Sequence, residues 1–330
     1  MARVPRSNNI SPADFEFLVS KATKAPSGHN TQPWRFRQNG SAVEIHPDFD
    51  RRLPVVDPDD RELFVSLGCA AENLCLAAQN IGYESSVVVG DTGVIAVALT
   101  EGVDAKSNPL FEQIDLRQTN RSIYTGEEIA LDALNRLQAI RSEDGVSVHY
   151  YARQTKQFND IEQYVLQGNT NQMQKEAFKA ELKSWMRFNK KHQDQTLDGL
   201  SYAVFGAPNV PRWMAEPIMS MAINAKTQNK ADRDKIASAS HLVLFTTREN
   251  SRREWVDLGR TLQRFLLTTT ELGIVHAYLN QPNEEVEIAS EMARTLGLAG
   301  EYPTILLRIG YGERQAYSKR RPVEDVVIED

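Results

Sequence analysis

The sequence predicts an α+β fold made of two related halves, each a mostly antiparallel sheet flanked by helices. Two long helical segments, Leu63 to Ile81 and Glu254 to Leu272, carry the same punctuation at a constant offset of 191 residues. Leu67-Gly68 answers Leu258-Gly259, Leu76 answers Leu267, and Gly82 answers Gly273. Each helix follows a shorter one and precedes strand sequence. The strand segments are short and rich in β-branched residues, as sheets covered by helices require. The glycines at 82 and 273 stand where helix C-termini commonly place one, so part of the agreement is ordinary helix punctuation.

The elements follow in order. Ser11 is placed to cap a helix with Pro12 at its first position, and Phe15, Leu18, Val19 and Ala22 form its apolar stripe. Ala25 to Trp34 is dense in turn formers. Arg35 to Arg37 and Val43 to Ile45 then alternate as a hairpin. In the helix from Leu63, small Gly68, Ala70, Ala71 and Ala77 permit close approach by a neighbour. Val87 to Val89 and Ile95 to Leu99 read as strands. A polar, partly basic segment from Arg117 to Ile129 leads to a helix through Leu134 and Leu137, then a strand from Val146 to Tyr151. Residues 160 to 240 are polar and helical and have no counterpart in the first half. His241 to Thr247 is a strand, the second long helix follows, and Tyr302 to Ile309 closes as a strand. The division expected is 1–110 for the first half and 111–330 for the second, with a helical lid inserted at about 160–240. Met173, Trp185, Met186 and Trp213 either face a site from that lid or pack its own core.

Bulk properties bound the function. In 330 residues, 41% are apolar, 8% aromatic and 25% charged, which describes a folded chain. A net charge of −6 gives no general attraction to nucleic acid or anionic membrane, so any anion site must be a local basic cluster. No apolar run approaches the ~20 residues of a membrane span, and the polar start from Met1 to Arg6 lacks a signal-peptide core, which points to the cytoplasm. Cys69 and Cys75 are six apart on a buried helix and read as core thiols. No metal motif, Walker loop or Rossmann fingerprint is present. Asp57, Asp59 and Asp60 lack calcium-loop spacing and read as a solvated turn.

An otherwise acidic chain concentrates Arg117, Arg121, Arg320 and Arg321 in two short segments, the donors a dianionic phosphate needs. Read from the residues alone, the first two serve equally as a solvated helix-start pair, and Lys319, Arg320 and Arg321 as a basic tail. Ser27, Asn30 and Gln32 offer hydroxyl and amide groups on a sharply turning loop, suited to a polar ligand edge or to a ligand-free Asx or Ser turn. Asn280-Gln281 before Pro282 fits a plain turn. His29, a lone loop histidine, is read as structural.

Pro26-Ser27-Gly28-His29-Asn30-Thr31-Gln32-Pro33-Trp34 resembles the flavin-binding loop of the FMN-dependent nitroreductase family. Arg117-Gln118-Thr119-Asn120-Arg121 resembles that family's arginine-rich arm, with Thr119 for the usual serine. Leu306 to Gly312 with Lys319 to Glu324 is similar to its final strand and phosphate-binding tail. Arg51 to Leu63 and Leu279-Asn280-Gln281-Pro282 resemble the fused, double-domain branch that includes mycobacterial dormancy-associated proteins. The resemblance implies a nitroreductase-like fold with two pseudo-twofold halves, a pseudo-dimer in one chain able to act as a monomer. It implies one FMN per chain, held by Pro26, Ser27, Gly28, Asn30 and Gln32 from the first half. Arg117, Gln118, Thr119, Arg121, Asn280, Gln281, Arg320 and Arg321 would complete the set from the second. A second site would need an arm near Arg6-Ser7 and a loop near Ala207 to Trp213, both poor matches. The implied chemistry is an NADPH- or NADH-dependent reduction of a small-molecule acceptor, a nitroaromatic or quinone, by hydride transfer through flavin N5. No catalytic side chain is needed, and Arg121 would stabilise charge on the reduced ring. The alternative is a flavin-storing or flavin-sequestering protein whose lid closes the site.

Overall fold

The computed structural model describes residues 9–102 and 108–328. The first part runs α1 (Pro12–Ala22), β1 (Trp34–Asn39), β2 (Ala42–Pro47), α2 (Arg61–Asn80), β3 (Tyr83–Val89) and β4 (Ile95–Glu101). Ser11 caps α1, its Oγ accepting from Asp14 N at 3.0 Å, with Pro12 at the first helical position. After α3 (Pro109–Gln113) come α4 (Leu131–Gln138) and β5 (Val146–Ala152). The long insertion holds α5 (Lys156–Gln174), α6 (Glu176–Ser184), β6 (Met186–Arg187), α7 (Lys190–Thr196), β7 (Leu200–Ser201), α8 (Arg212–Ala222) and α9 (Ala225–Ala237). The chain closes with β8 (His241–Thr247), α10 (Arg252–Glu271), β9 (Val275–Tyr278), α11 (Val286–Thr295) and β10 (Tyr302–Gly310).

Both four-stranded sheets are antiparallel throughout, so the α+β class is as expected. Their strand orders are β1-β2-β4-β3 and β5-β8-β10-β9. Taken in chain order, each is first, second, fourth, third, with a twenty-residue helix between its second and third strands. The insertion therefore stands where the first sheet has only the tight turn between β1 and β2. Connectivity also places the counterpart of the Ala25–Trp34 loop at residues 139–145, between α4 and β5. The segment from Ala207 to Trp213 is not that counterpart, because it lies inside the insertion.

The two long helices meet at glycine. A Cβ on Gly68 would lie 2.1 Å from the Val256 carbonyl oxygen, and one on Gly259 would lie 2.1 Å from that of Val65. Only hydrogen fits at such a contact. One contiguous core runs from α1 through α2 and α10 to the inner faces of both sheets. The second sheet is also covered on its outer face, where Phe158, Ile161, Val165, Ile236 and Met292 pack on Leu242, Leu244 and Leu306. That is why β8 is buried along its whole length while β3 is largely exposed.

Beyond β10 the chain returns to the first half and pairs with β1. Val326 O accepts from Phe36 N at 2.7 Å, and Ile328 N donates to Phe36 O at 2.8 Å. On the way it passes the Ala25–Trp34 loop, which brings Arg320 to the site. Among the described residues no helix is long and apolar enough to cross a membrane, and no cluster of metal-ligating side chains occurs.

Candidate functional site

The loop after α1 is held in an uncommon conformation. His29, Asn30 and Gln32 all have positive φ, at 48°, 56° and 55°. Such values cost a non-glycine residue free energy and persist where surrounding contacts enforce them, as at ligand sites. Ser27 Oγ accepts from Gln32 N at 3.0 Å, and the buried Asn30 amide donates to Gly199 O and Lys319 O, each at 3.2 Å. Arg320 secures the outer side of the loop: Nε donates to Thr23 O at 2.9 Å, Nη1 to Asn30 Oδ1 at 2.8 Å and Nη2 to Ala25 O at 3.0 Å.

Facing this loop is the basic arm. Arg308, 1% exposed, anchors it by stacking on the Tyr124 ring at 3.9 Å and donating from Nη2 to Ser122 O at 2.7 Å and Asn120 O at 3.2 Å. Gln118 pairs with the tail like a strand residue, donating to Gln315 O at 3.1 Å and accepting from Gln315 N. Thr119 bridges to His276 on β9. Arg117 is 5% exposed, donates from Nη2 to Lys24 O at 2.9 Å, and leaves Nε without a partner.

Between loop, arm, α2, the segment after β9 and the insertion lies a cavity of about 870 Å³, within the range of small-molecule and cofactor sites. Pro26, Ser27, Gly28, Asn30, Arg117, Gln118, Thr119, Arg121, Asn280, Gln281 and Arg320 all line it. Gln32 and Arg321 do not; they lie behind its wall, where Gln32 Oε1 accepts from Arg321 N at 2.8 Å and Gln32 Nε2 donates to Leu197 O at 2.9 Å. Their side chains bind the tail and the insertion to the loop. From the insertion, Met173 and Met186 reach the cavity, joined by Phe178, Leu182, Leu200 and Ile223. Trp185 instead stacks under Arg51 and Arg187, and Trp213 is 76% exposed. The segment around Arg6-Ser7 lies outside the described residues.

Arg117, Arg121 and Arg320 form no ion pair with any carboxylate among the described residues. Burial, the largest cause for each, lowers their pKa values, Arg320 to about 9 with Arg117's charge the next cause. Guanidiniums gathered on one cavity without counter-charge are costly unless an anion joins them. The opposite end is acidic. Glu62, in the first turn of α2, accepts from Asn280 Nδ2 at 2.9 Å, and Glu284 accepts from Gln172 of α5. Neither acid was foreseen, nor was Cys69 Sγ at the cavity, 3.1 Å from Gly259 O. Burial pushes that thiol up and lowers His29 to about 4, leaving both neutral near pH 7.

Asp57 is not a solvated turn residue. It is buried, its Oδ2 accepts from Leu63 N at 3.0 Å, and burial, then the charge of Glu62, raises its pKa to about 7. The folded protein holds this proton more tightly than the unfolded chain, so the stability it confers is complete below 3.8 and lost as pH rises through about 7. Asp57→Asn, which keeps an acceptor for Leu63 N, should match the parent in thermal midpoint in acid and exceed it above neutrality. Parallel midpoints across that range would refute the assignment.

The fold and this cavity define an α+β protein with two antiparallel sheets and a cofactor-sized pocket lined by three arginines. Two Mycobacterium tuberculosis proteins, "Putative NAD(P)H nitroreductase MT3217" of strain CDC 1551 / Oshkosh and "Putative NAD(P)H nitroreductase Rv3131" of strain H37Rv, are each 26% identical to the chain over 309 residues. The match covers 89% of this chain and 84% of theirs. The chain is thus distantly similar, over most of its length, to proteins named as putative NAD(P)H nitroreductases. No family model matches it. Solved structures that align include the FMN-dependent nitroreductase NfnB of Mycobacterium smegmatis in complex with NADPH, at 13% identity and TM-score 0.40, covering 62% of this chain and 88% of that one. NADPH:FMN oxidoreductase of Vibrio harveyi, complexed with NAD+, aligns at 14% identity and TM-score 0.41, covering 68% and 77%. A Bacteroides fragilis nitroreductase with bound FMN aligns at 14% identity and TM-score 0.38, covering 65% and 94%.

Proposed function

We propose that the chain binds one FMN in this cavity and acts as an NAD(P)H-dependent reductase of a small-molecule acceptor. The observation that carries the reading is the group of three unpaired guanidiniums, one with a buried, unpartnered Nε, on a cavity of cofactor size. Arg117 would hold the phosphate, with Lys24 and Lys319 at the same rim and Arg320 fixing the loop beside it. Ser27, Asn280 and Gln281 would meet the polar edge of the ring. Bound flavin would supply the exchange of a hydride equivalent between nicotinamide and acceptor.

The chain's own residues then have distinct tasks. Arg121, half-buried and 5.7 Å over the Phe205 ring, places a fixed positive charge in a site of low dielectric and would stabilise negative charge gained on reduction. Gly28 keeps the loop backbone close to the cavity, because a Cβ there would press on Leu53 at 3.1 Å and Glu62 at 3.3 Å. The apolar side chains of the insertion exclude water above it. We read the two sheets as two pseudo-twofold halves and the insertion as a lid belonging to the second. The equal topologies support this, as does the reciprocal glycine contact. Residues 139–145 contain no Pro-Ser pair, in keeping with one site per chain.

A second reading, flavin storage with little turnover, is favoured by the way the insertion fastens to the first half. Asn30 and Gly199 exchange backbone and side-chain hydrogen bonds, Gln32 holds Leu197 O, and Arg51 pairs with Asp198. Anaerobic mixing of the FMN-loaded protein with NADPH or NADH separates the two. A reductase bleaches; a storage protein stays yellow yet bleaches with dithionite. A chain that takes up no FMN overturns both.

A further inference from the structure

Glu62 and Glu284 meet in the cavity wall. They come from elements far apart in the chain, α2 and the segment after β9, and hydrogen bond to each other. Asn280 Nδ2 secures one carboxyl at 2.9 Å, and Gln172 Nε2 of α5 secures the other. The charged groups facing Glu284 are Glu62 and Arg61 from α2, with Asp57 packed on the same first turn; α5 contributes the neutral Gln172. Arg61 forms no ion pair among the described residues, and its Nε has no partner. Two touching carboxyls in such a site cannot both ionise readily, so one proton stays between them.

Burial first, and Glu62's charge second, push Glu284 well above the usual carboxylate range. Burial drives other titratable groups on the cavity away from neutrality: His29 falls to about 4, and the Cys69 thiol and Tyr278 phenol are pushed up. Asp115 pairs with Lys21.

We propose that Glu284, sharing its proton with Glu62, is the proton donor to the acceptor reduced in this cavity. This rests on the reductase reading. For a quinone, two electrons and one hydrogen arrive as a hydride equivalent from reduced flavin. The second hydrogen comes from the Glu284 carboxyl: its O–H bond breaks, the bonding pair stays on the carboxylate, and an O–H forms on the quinone oxygen. Water then returns a proton to the pair.

The test uses the FMN-loaded protein, reduced anaerobically with dithionite and mixed with para-benzoquinone in single turnover. Glu284→Gln should bind FMN as the parent does but reoxidise about 10²-fold more slowly. The parent's rate should fall as alkali removes the shared proton, the variant's should be flat, and Glu62→Gln should move the fall to lower pH by removing the like charge. Infrared spectra of the ligand-free protein give a second readout. The carbonyl stretch of neutral carboxylic acids should be present at neutral pH and lose intensity in Glu284→Gln, with Asp57 supplying the remainder. A parental reoxidation rate and pH profile in Glu284→Gln, or an undiminished band in that variant, overturns the proposal. Failure of the parent to take up FMN overturns the reductase reading instead, and the infrared result still decides whether the proton is shared.

Discussion

Arg117→Ala should weaken FMN binding by about 10²-fold or more, measured by quenching of flavin fluorescence on titration of the apoprotein. Removing one partner from a buried, charge-assisted contact costs about 2–5 kcal/mol, which spans that range. Arg117 is 5% exposed, and its Nε is held by nothing in the protein while Nη2 rests on Lys24 O, so Nε is the donor open to a phosphate. Lysine at 117 keeps the charge but not the two-pronged geometry and should recover part of the affinity. Arg320 acts differently although it lines the same cavity. Its donors are already engaged with Thr23 O, Ala25 O and Asn30 Oδ1, so Arg320→Ala releases the loop from the tail and should lower both affinity and apoprotein stability. Arg117→Ala should leave the apoprotein's thermal midpoint undiminished, because it removes an uncompensated buried cation. An Arg117→Ala protein that binds FMN like the parent would remove the phosphate assignment.

Much of this architecture was legible because it rests on periodicity. The stripe of α1, the small-residue face of α2 and the β-branched strands declare their partners through spacing, and the 191-residue offset marks two helices as equivalent before any contact is known. Short elements escaped: β9 has four residues and α11 ten, neither long enough to separate itself from the turns around Gly273 and Pro282. The site was legible by residue type but not by direction. A motif fixes that a glutamine follows the loop asparagine; it does not fix that Gln32 points away from the cavity to Arg321. Glu62 and Glu284 were hidden for a related reason. An acidic residue in a first helical turn, as Glu62 is, usually signals a favourable dipole in solvent, Glu284 lies in a turn before α11, and the two meet across more than two hundred residues of sequence.

Gly259→Ala should lower the thermal midpoint, and the sign is itself informative. In an exposed helix the exchange would gain about 1 kcal/mol from helix propensity. Here the added methyl would stand 2.1 Å from the Val65 carbonyl oxygen, and since that atom is backbone no rotamer change relieves the clash. The helices must separate, at a cost of about 3 kcal/mol or more for overpacking a rigid contact. The net loss, about 2 kcal/mol or more, corresponds to roughly 3 °C or more for a protein of this size. Separation also moves Val65, Cys69 and Leu262, which line the cavity, so FMN affinity should fall with stability. If α2 and α10 are related by a local twofold, Gly68→Ala must produce the same loss, because its methyl meets Val256 O at the same 2.1 Å. The double variant should then lose less than the sum, since helices parted for one methyl leave room for the other. A stabilised Gly259→Ala, or a loss at one glycine without a matching loss at the other, would show that the pair is not the tight, symmetric hinge on which the two halves meet.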